Sequence, residues 1–216
     1  ISFIFGQISI FLVLEISIKV FSKLELKLFD LRLLKNLIRY SAPLVINSIA
    51  IWLINGFGKL IIVNYLGTEA NGLYSFASRF SNIVSVLGSV VSMAILEESI
   101  INSKNNRFDK SFGDTLETIF KFFLSLILVS IPAICIVYYF FGSSDFYISV
   151  NYIPIMMLYS VFMIMATNFG ICFKIIDKNK YQVTTTILGS IITIIISYVF
   201  LWNIGIYSVL IGQCFG

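Results

Sequence analysis

The sequence predicts an all-α fold, a polytopic transmembrane helical bundle with six spans and the start of a seventh. Three observations lead there. Of 216 residues, 58% are hydrophobic and only 12% are charged, about half the charge of an ordinary soluble domain. Apolar runs long enough to cross a bilayer, about 20 residues each, recur along the whole chain. Between them, Lys and Arg crowd into every second loop.

The runs bounded by charge or turn residues are 1–20, 43–66, 73–96, 119–141, 152–176 and 183–202, with another opening at Ile206. Each is too long for a membrane strand, which needs about 9–11 residues. Run 43–66 would be about 36 Å long as a helix, enough to cross a core of about 30 Å with tilt. The first loop carries Lys19, Lys23, Lys27, Arg32, Lys35 and Arg39, the third Lys104, Arg107 and Lys110, and the fifth Lys174, Lys178 and Lys180. Loops 67–72, 142–151 and 203–205 carry no Lys or Arg. Basic residues are retained on the cytoplasmic side of short loops, so the three basic loops face the cytoplasm. Tyr138, Tyr139, Tyr147, Tyr152 and Trp202 then gather near the outer boundary, as an interfacial belt does.

This topology accounts for the net charge of +4, and nucleic acid is not a predicted partner. The bilayer is. Residues 21–40 hold a polar stretch with leucines at 24, 26, 28, 31, 33, 34 and 37, which suits an amphipathic helix on the inner surface, serving as a linker. Both chain ends fall inside apolar runs, and the sequence reads as truncated at each. The cysteines, Cys135, Cys172 and Cys214, stand singly in apolar sequence and no histidine is present. They read as small buried side chains, so no metal site and no cofactor is predicted.

Charge inside a membrane is costly, and each such residue needs an account. Glu15 has Lys19 four positions on, an ion pair at the inner edge. Lys59 and Arg79 flank the same short loop, seven residues before Leu66 and seven after Gly72, at one depth about 10 Å below the outer boundary. Cations at one depth repel unless water or an anion separates them. They snorkel independently to the headgroups or serve an anion. Ser75, Ser78, Asn82, Ser85, Ser89 and Ser92 fall at helical spacing and share a face. Ser48, Trp52, Asn55 and Lys59 form a similar row on the preceding span. Such stripes pack helices closely or line a hydrated groove. The candidate substrate-binding residues are therefore Lys59, Arg79, Asn55, Asn82, Ser78 and Ser85. Thr186, Ser190, Thr193 and Ser197 form a further stripe that packing explains.

Residues 40–82, YSAPLVINSIAIWLINGFGKLIIVNYLGTEANGLYSFASRFSN, resemble the start of the second half of bacterial polysaccharide-export and O-antigen flippases, within the multidrug, oligosaccharidyl-lipid and polysaccharide exporter superfamily. The likeness lies in the Y-S-x-P opening, the N-S pair, the run to Y-L-G and the following G-L-Y-S. V-N-Y-I-P-I at 150–155 and T-T-T-I-L-G-S at 184–190 continue it. The resemblance implies two bundles with a cationic central cavity and alternating access. On that plan 1–20 is the last helix of the first bundle, 21–40 the cytoplasmic linker and 41–216 the second bundle, truncated at its C-terminus. Where relatives commonly place an acid and then a base before the aliphatic run, this chain has Gly58 and Lys59.

The function implied is translocation of a polyprenyl-pyrophosphate-linked oligosaccharide across the bacterial cytoplasmic membrane for surface polysaccharide synthesis, such as O-antigen of lipopolysaccharide. No covalent bond changes, so the protein is not an enzyme. Coupling to a sodium or proton gradient goes with the superfamily; no residue in the sequence assigns the ion. The alternatives are a drug or small-molecule antiporter of the same superfamily, which would favour intramembrane carboxylates, and a membrane glycan polymerase or acyltransferase. An enzyme needs acids, bases or nucleophiles gathered at the surface, whereas the predicted outer loops hold only Glu69 and Asp145 as charges.

Overall fold

A computed structural model of the chain describes residues 2–18, 30–104, 108–142, 144–175 and 178–216. Lys19, Lys23, Lys27, Arg107 and the first part of the expected linker lie outside the described residues. The chain divides into two compact units, Ile1–Ser41 and Ala42–Gly216. All regular structure among the described residues is helical.

The first unit holds α1, Ser2–Ile18, and the start of α2, Leu31–Trp52. Asp30 caps α2: its Oδ1 accepts the Arg32 N–H at 2.7 Å, satisfying one of the donors that a helix start leaves free. The amphipathic linker expected over 21–40 and the span expected from Pro43 are therefore not separate, since residues 31–52 form one helix with Pro43 inside it. A proline removes one backbone donor and bends a helix without having to end it.

In the second unit, α2 passes into a π-helical turn at Leu53–Phe57, a short α3 at Gly58–Ile61 and a second π-helical turn at Ile62–Leu66. Gly67 then has φ 89° and ψ 178°, a conformation that glycine adopts without strain. The next helix, α4, Gly67–Lys104, starts at once, so residues 67–72, expected as a loop, are its first turns. α5, Phe108–Phe141, a 3₁₀ stretch at Ser144–Tyr152, α6, Ile153–Ile175, and α7, Asn179–Val199, follow. The short α8, Leu201–Ile204, leads through Gly205 to α9, Ile206–Phe215.

Four helical stretches among the described residues are long and apolar enough to cross a membrane: Leu31–Ser99, Phe112–Phe140, Asp145–Ile175 and Asn179–Val199. The apolar helices Gly6–Ser17 and Ile206–Phe215 are shorter. Six full spans are thus not what length and composition give. The difference lies mostly in the first stretch, which counts as one because no residue at Gly67 leaves helical assignment. It is not a straight rod. Asn55 Oδ1 accepts the Tyr159 hydroxyl at 2.7 Å, while Ser81 bonds the neighbouring Ser160. In a straight helix residues 55 and 81 would stand about 39 Å apart, so the chain turns back at Gly67 and both arms meet α6.

Small residues set the packing. Gly88 of α4 lies against Ile164 of α6, where a Cβ would overlap the isoleucine, and Ala77 and Val84 are buried on the same helix. Gly212 of α9 lies against Ser197 and Thr193 of α7. Ser190, Thr193 and Ser197 are all buried, so this later stripe is packing material. Outside, α5 exposes Leu128, Val129, Ile136 and Tyr139, an apolar surface suited to hydrocarbon as solvent.

Candidate functional site

Asn55, at the first π-helical turn, faces α6 across the helical hairpin. Its amide Nδ2 donates to the Ile51 carbonyl at 3.0 Å and its Oδ1 accepts from Tyr159. The widened turn also presents the Ile54 carbonyl sideways, where Gln213 Nε2 of α9 reaches it at 3.2 Å. The same amide nitrogen lies 3.1 Å from the Tyr74 hydroxyl. π-helical turns leave backbone groups in need of outside partners, and here a buried glutamine supplies one. Gly58 permits this approach, because a Cβ there would run into Val209 of α9.

Between these elements lies a cavity of about 300 Å³. Asn55 forms one wall, Asn82, Ser85, Ser89 and Ser92 of α4 a second, and Tyr159, Ser160 and Thr167 of α6 the third. Its lining includes no charged side chain. Counted at 1.5 Å per residue, the α4 wall runs from about 22 to 37 Å along the helix from Gly67. A larger cavity, about 470 Å³, lies between α4 and α5, but Phe76, Phe80, Ile134 and Phe146 make it apolar. Ser130, whose hydroxyl bonds the Ile127 carbonyl at 3.1 Å, and Tyr138 are the polar side chains in its lining, which suits an apolar group better than a polar substrate.

Of the residues selected from sequence, the structure brings Asn55, Asn82 and Ser85 together in the polar cavity. Ser78, Lys59 and Arg79 do not line it. Ser78 points its hydroxyl at the Ser75 carbonyl, 2.8 Å away, and sits one turn nearer Gly67 than Asn82. Arg79 is exposed, and at about 100° per residue it stands roughly 100° around α4 from the centre of the cavity wall. Lys59 is exposed a turn beyond Asn55. Neither cation has an ion pair or hydrogen bond among the described residues.

Sequence reasoning missed Tyr159, Ser160 and Thr167, which line the cavity from α6. It also missed Ser81, whose hydroxyl bonds the Met156 carbonyl at 3.0 Å and joins Ser160. Nothing local marks an isolated serine or tyrosine on an apolar helix; their roles come from the α4–α6 contact. No group of His, Cys, Asp and Glu that could hold a metal occurs among the described residues.

Residues 2–96 match the family described as Polysaccharide biosynthesis protein. Comparison with curated proteins gave no match, and neither did comparison with solved structures. The matched residues, fewer than half of the chain, supply two of the cavity's three walls and are similar to that family, and the long apolar helices mark the chain as an integral membrane protein.

Proposed function

We propose that the protein is a flippase, which carries a polyprenyl-pyrophosphate-linked oligosaccharide across the bacterial cytoplasmic membrane. One observation carries the reading: an open polar cleft walled by three helical segments, set among segments apolar enough to span a bilayer. Lipid alone gives no reason to keep Asn55, Asn82, Ser89 and Thr167 together at that depth. The family match supports a role with polysaccharide precursors. The stretch Leu31–Ser99, reversing at Gly67, then makes two crossings, so that with the other three long stretches and α1 the chain supplies six passes and α9 opens a seventh.

In this reading the headgroup passes through the cavity while the prenyl tail stays in the bilayer. Lys59 and Arg79, exposed and outside the cavity lining, then offset the pyrophosphate charge at the protein surface beside their helices. No covalent chemistry is involved, and no carboxylate lines the cavity to meet a cationic drug. The test is the double variant Lys59→Ala/Arg79→Ala in cells. Surface glycan should fall severalfold at equal protein level; undiminished glycan would remove the cations from the mechanism.

A further inference from the structure

α4 borders two different openings. Its polar face lines the cavity with α6, and Phe76 and Phe80, about half a turn around the helix, line the apolar cleft of about 470 Å³ with α5. The rings of this cleft brace one another. Phe76 stacks on Phe146 with centroids 4.9 Å apart, meets Phe80 edge-on at 5.6 Å and lies 6.4 Å from Tyr138. Such walls are formed in advance, so a guest orders few side chains on entering. Along α5 the cleft runs from Ser130 to Gly142, about 18 Å, more than half of a hydrocarbon core of about 30 Å. In the orientation that the alternating basic loops predict, this is the outer half of the bilayer. Ala133 and Val137 of its lining are exposed, so the cleft opens laterally among apolar side chains.

Bilayer hydrocarbon is as apolar as these walls, so no hydrophobic force drives a chain into the cleft. A guest is held by fit and by charge. Double bonds and methyl branches bring an isoprenoid chain against ring faces and edges that a straight acyl chain leaves partly unfilled. Charge comes from the flank: Arg79, three residues after Phe76, stands about 60° around α4 towards the polar cavity, exposed and with no ion pair among the described residues. Side chains on a helix lean towards its N-terminus, so the guanidinium reaches for the outer headgroup level. No charged side chain lines the cleft, and Asp145, beside Phe146, already has a partner. Around α4 the order is therefore apolar cleft, cation, polar cavity. Chain, phosphate and sugar follow one another in the same order in a polyprenyl-linked glycan.

We propose that the α4–α5 cleft seats the phosphate-proximal end of an isoprenoid chain in the outer half of the bilayer, with Arg79 pairing the phosphate and the rest of the chain remaining in the bilayer. The identity of the lipid rests on the flippase reading. The test uses the whole protein in phosphatidylcholine nanodiscs and follows displacement of radiolabelled polyprenyl monophosphate. Three competitors are compared: the same lipid unlabelled, the polyprenol without its phosphate, and a straight saturated alkyl phosphate of equal carbon number. The wild type should prefer polyprenyl phosphate about tenfold over either other competitor. Equal displacement by the straight-chain phosphate would overturn the proposal without any variant, since the cleft would then accept any acyl chain. Ala133→Trp fills the cleft from an exposed position and should lower affinity about tenfold, whereas Leu128→Trp, on the far exposed side of α5, should not. Undiminished affinity in Ala133→Trp would place the chain elsewhere and overturn the proposal. Arg79→Gln should bring polyprenyl phosphate down to the affinity of polyprenol; a preference that survives it would remove Arg79 from the site. Translocation of a polyprenyl-linked glycan in vesicles separates the two ideas. Chain-selective binding without translocation supports the cleft and defeats the flippase reading; translocation without chain selectivity does the reverse.

Discussion

Gln213→Leu is the sharpest probe of how the π-helical segment is held. Gln213 is 3% exposed, and its Nε2 lies 3.2 Å from the Ile54 carbonyl and 3.1 Å from the Tyr74 hydroxyl. Leucine keeps most of the volume but leaves both partners unbonded. Interhelical hydrogen bonds in membrane proteins contribute about 0.6 kcal/mol on average and about 1.7 at most, so losing two costs about 1–3 kcal/mol. Tyr74→Phe removes one of the two. The double variant should therefore cost less than the sum, with a coupling of about 0.5–1.5 kcal/mol. Reversible unfolding in mixed micelles reads these differences. Additive costs would show that the Gln213–Tyr74 bond contributes nothing, and a Gln213→Leu variant as stable as the wild type would show that the glutamine does not hold the turn.

Gly88→Leu should lower the unfolding midpoint and abolish transport, because the side chain meets Ile164 and enters the cavity; near wild-type stability would contradict the close α4–α6 packing. Tyr159→Phe frees Asn55 Oδ1, and transport should fall severalfold with only a small change in stability, measured on the same preparation. Single cysteines introduced at Gly72 and Lys178 should be labelled by an impermeant thiol reagent from opposite sides of the membrane, as the alternating basic loops require. Labelling of both from one side would refute that topology.

The apolar runs were legible because hydropathy acts over a window of residues and needs no knowledge of neighbours. Helix continuity was less so. Residues 31–40 look like a separate amphipathic piece, whereas the structure runs one helix from the Asp30 cap through Pro43 to Trp52. Gly67 hid the reverse error, since a single residue at positive φ does the work for which a loop was expected. The α4 stripe gave Asn82 and Ser85 because helical period alone puts them on one face. Lys59 and Arg79, matched in depth, lie outside that cavity wall. Depth follows residue count, but facing follows phase, and Arg79 is off the cavity side while π-helical turns flank Lys59. Tyr159 and Thr167 needed the α4–α6 contact, which has no local sequence signal.

Transport itself is tested most directly in proteoliposomes containing the whole protein and a fluorescent polyprenyl-pyrophosphate oligosaccharide with neutral sugars. An impermeant oxidant destroys the label on the outer leaflet, so translocation appears as continued loss beyond the initial outer fraction. The wild type should drive that loss well past the plateau of protein-free liposomes, and Lys59→Ala/Arg79→Ala should slow it severalfold. A wild-type trace that stops at the protein-free plateau would contradict the flippase account.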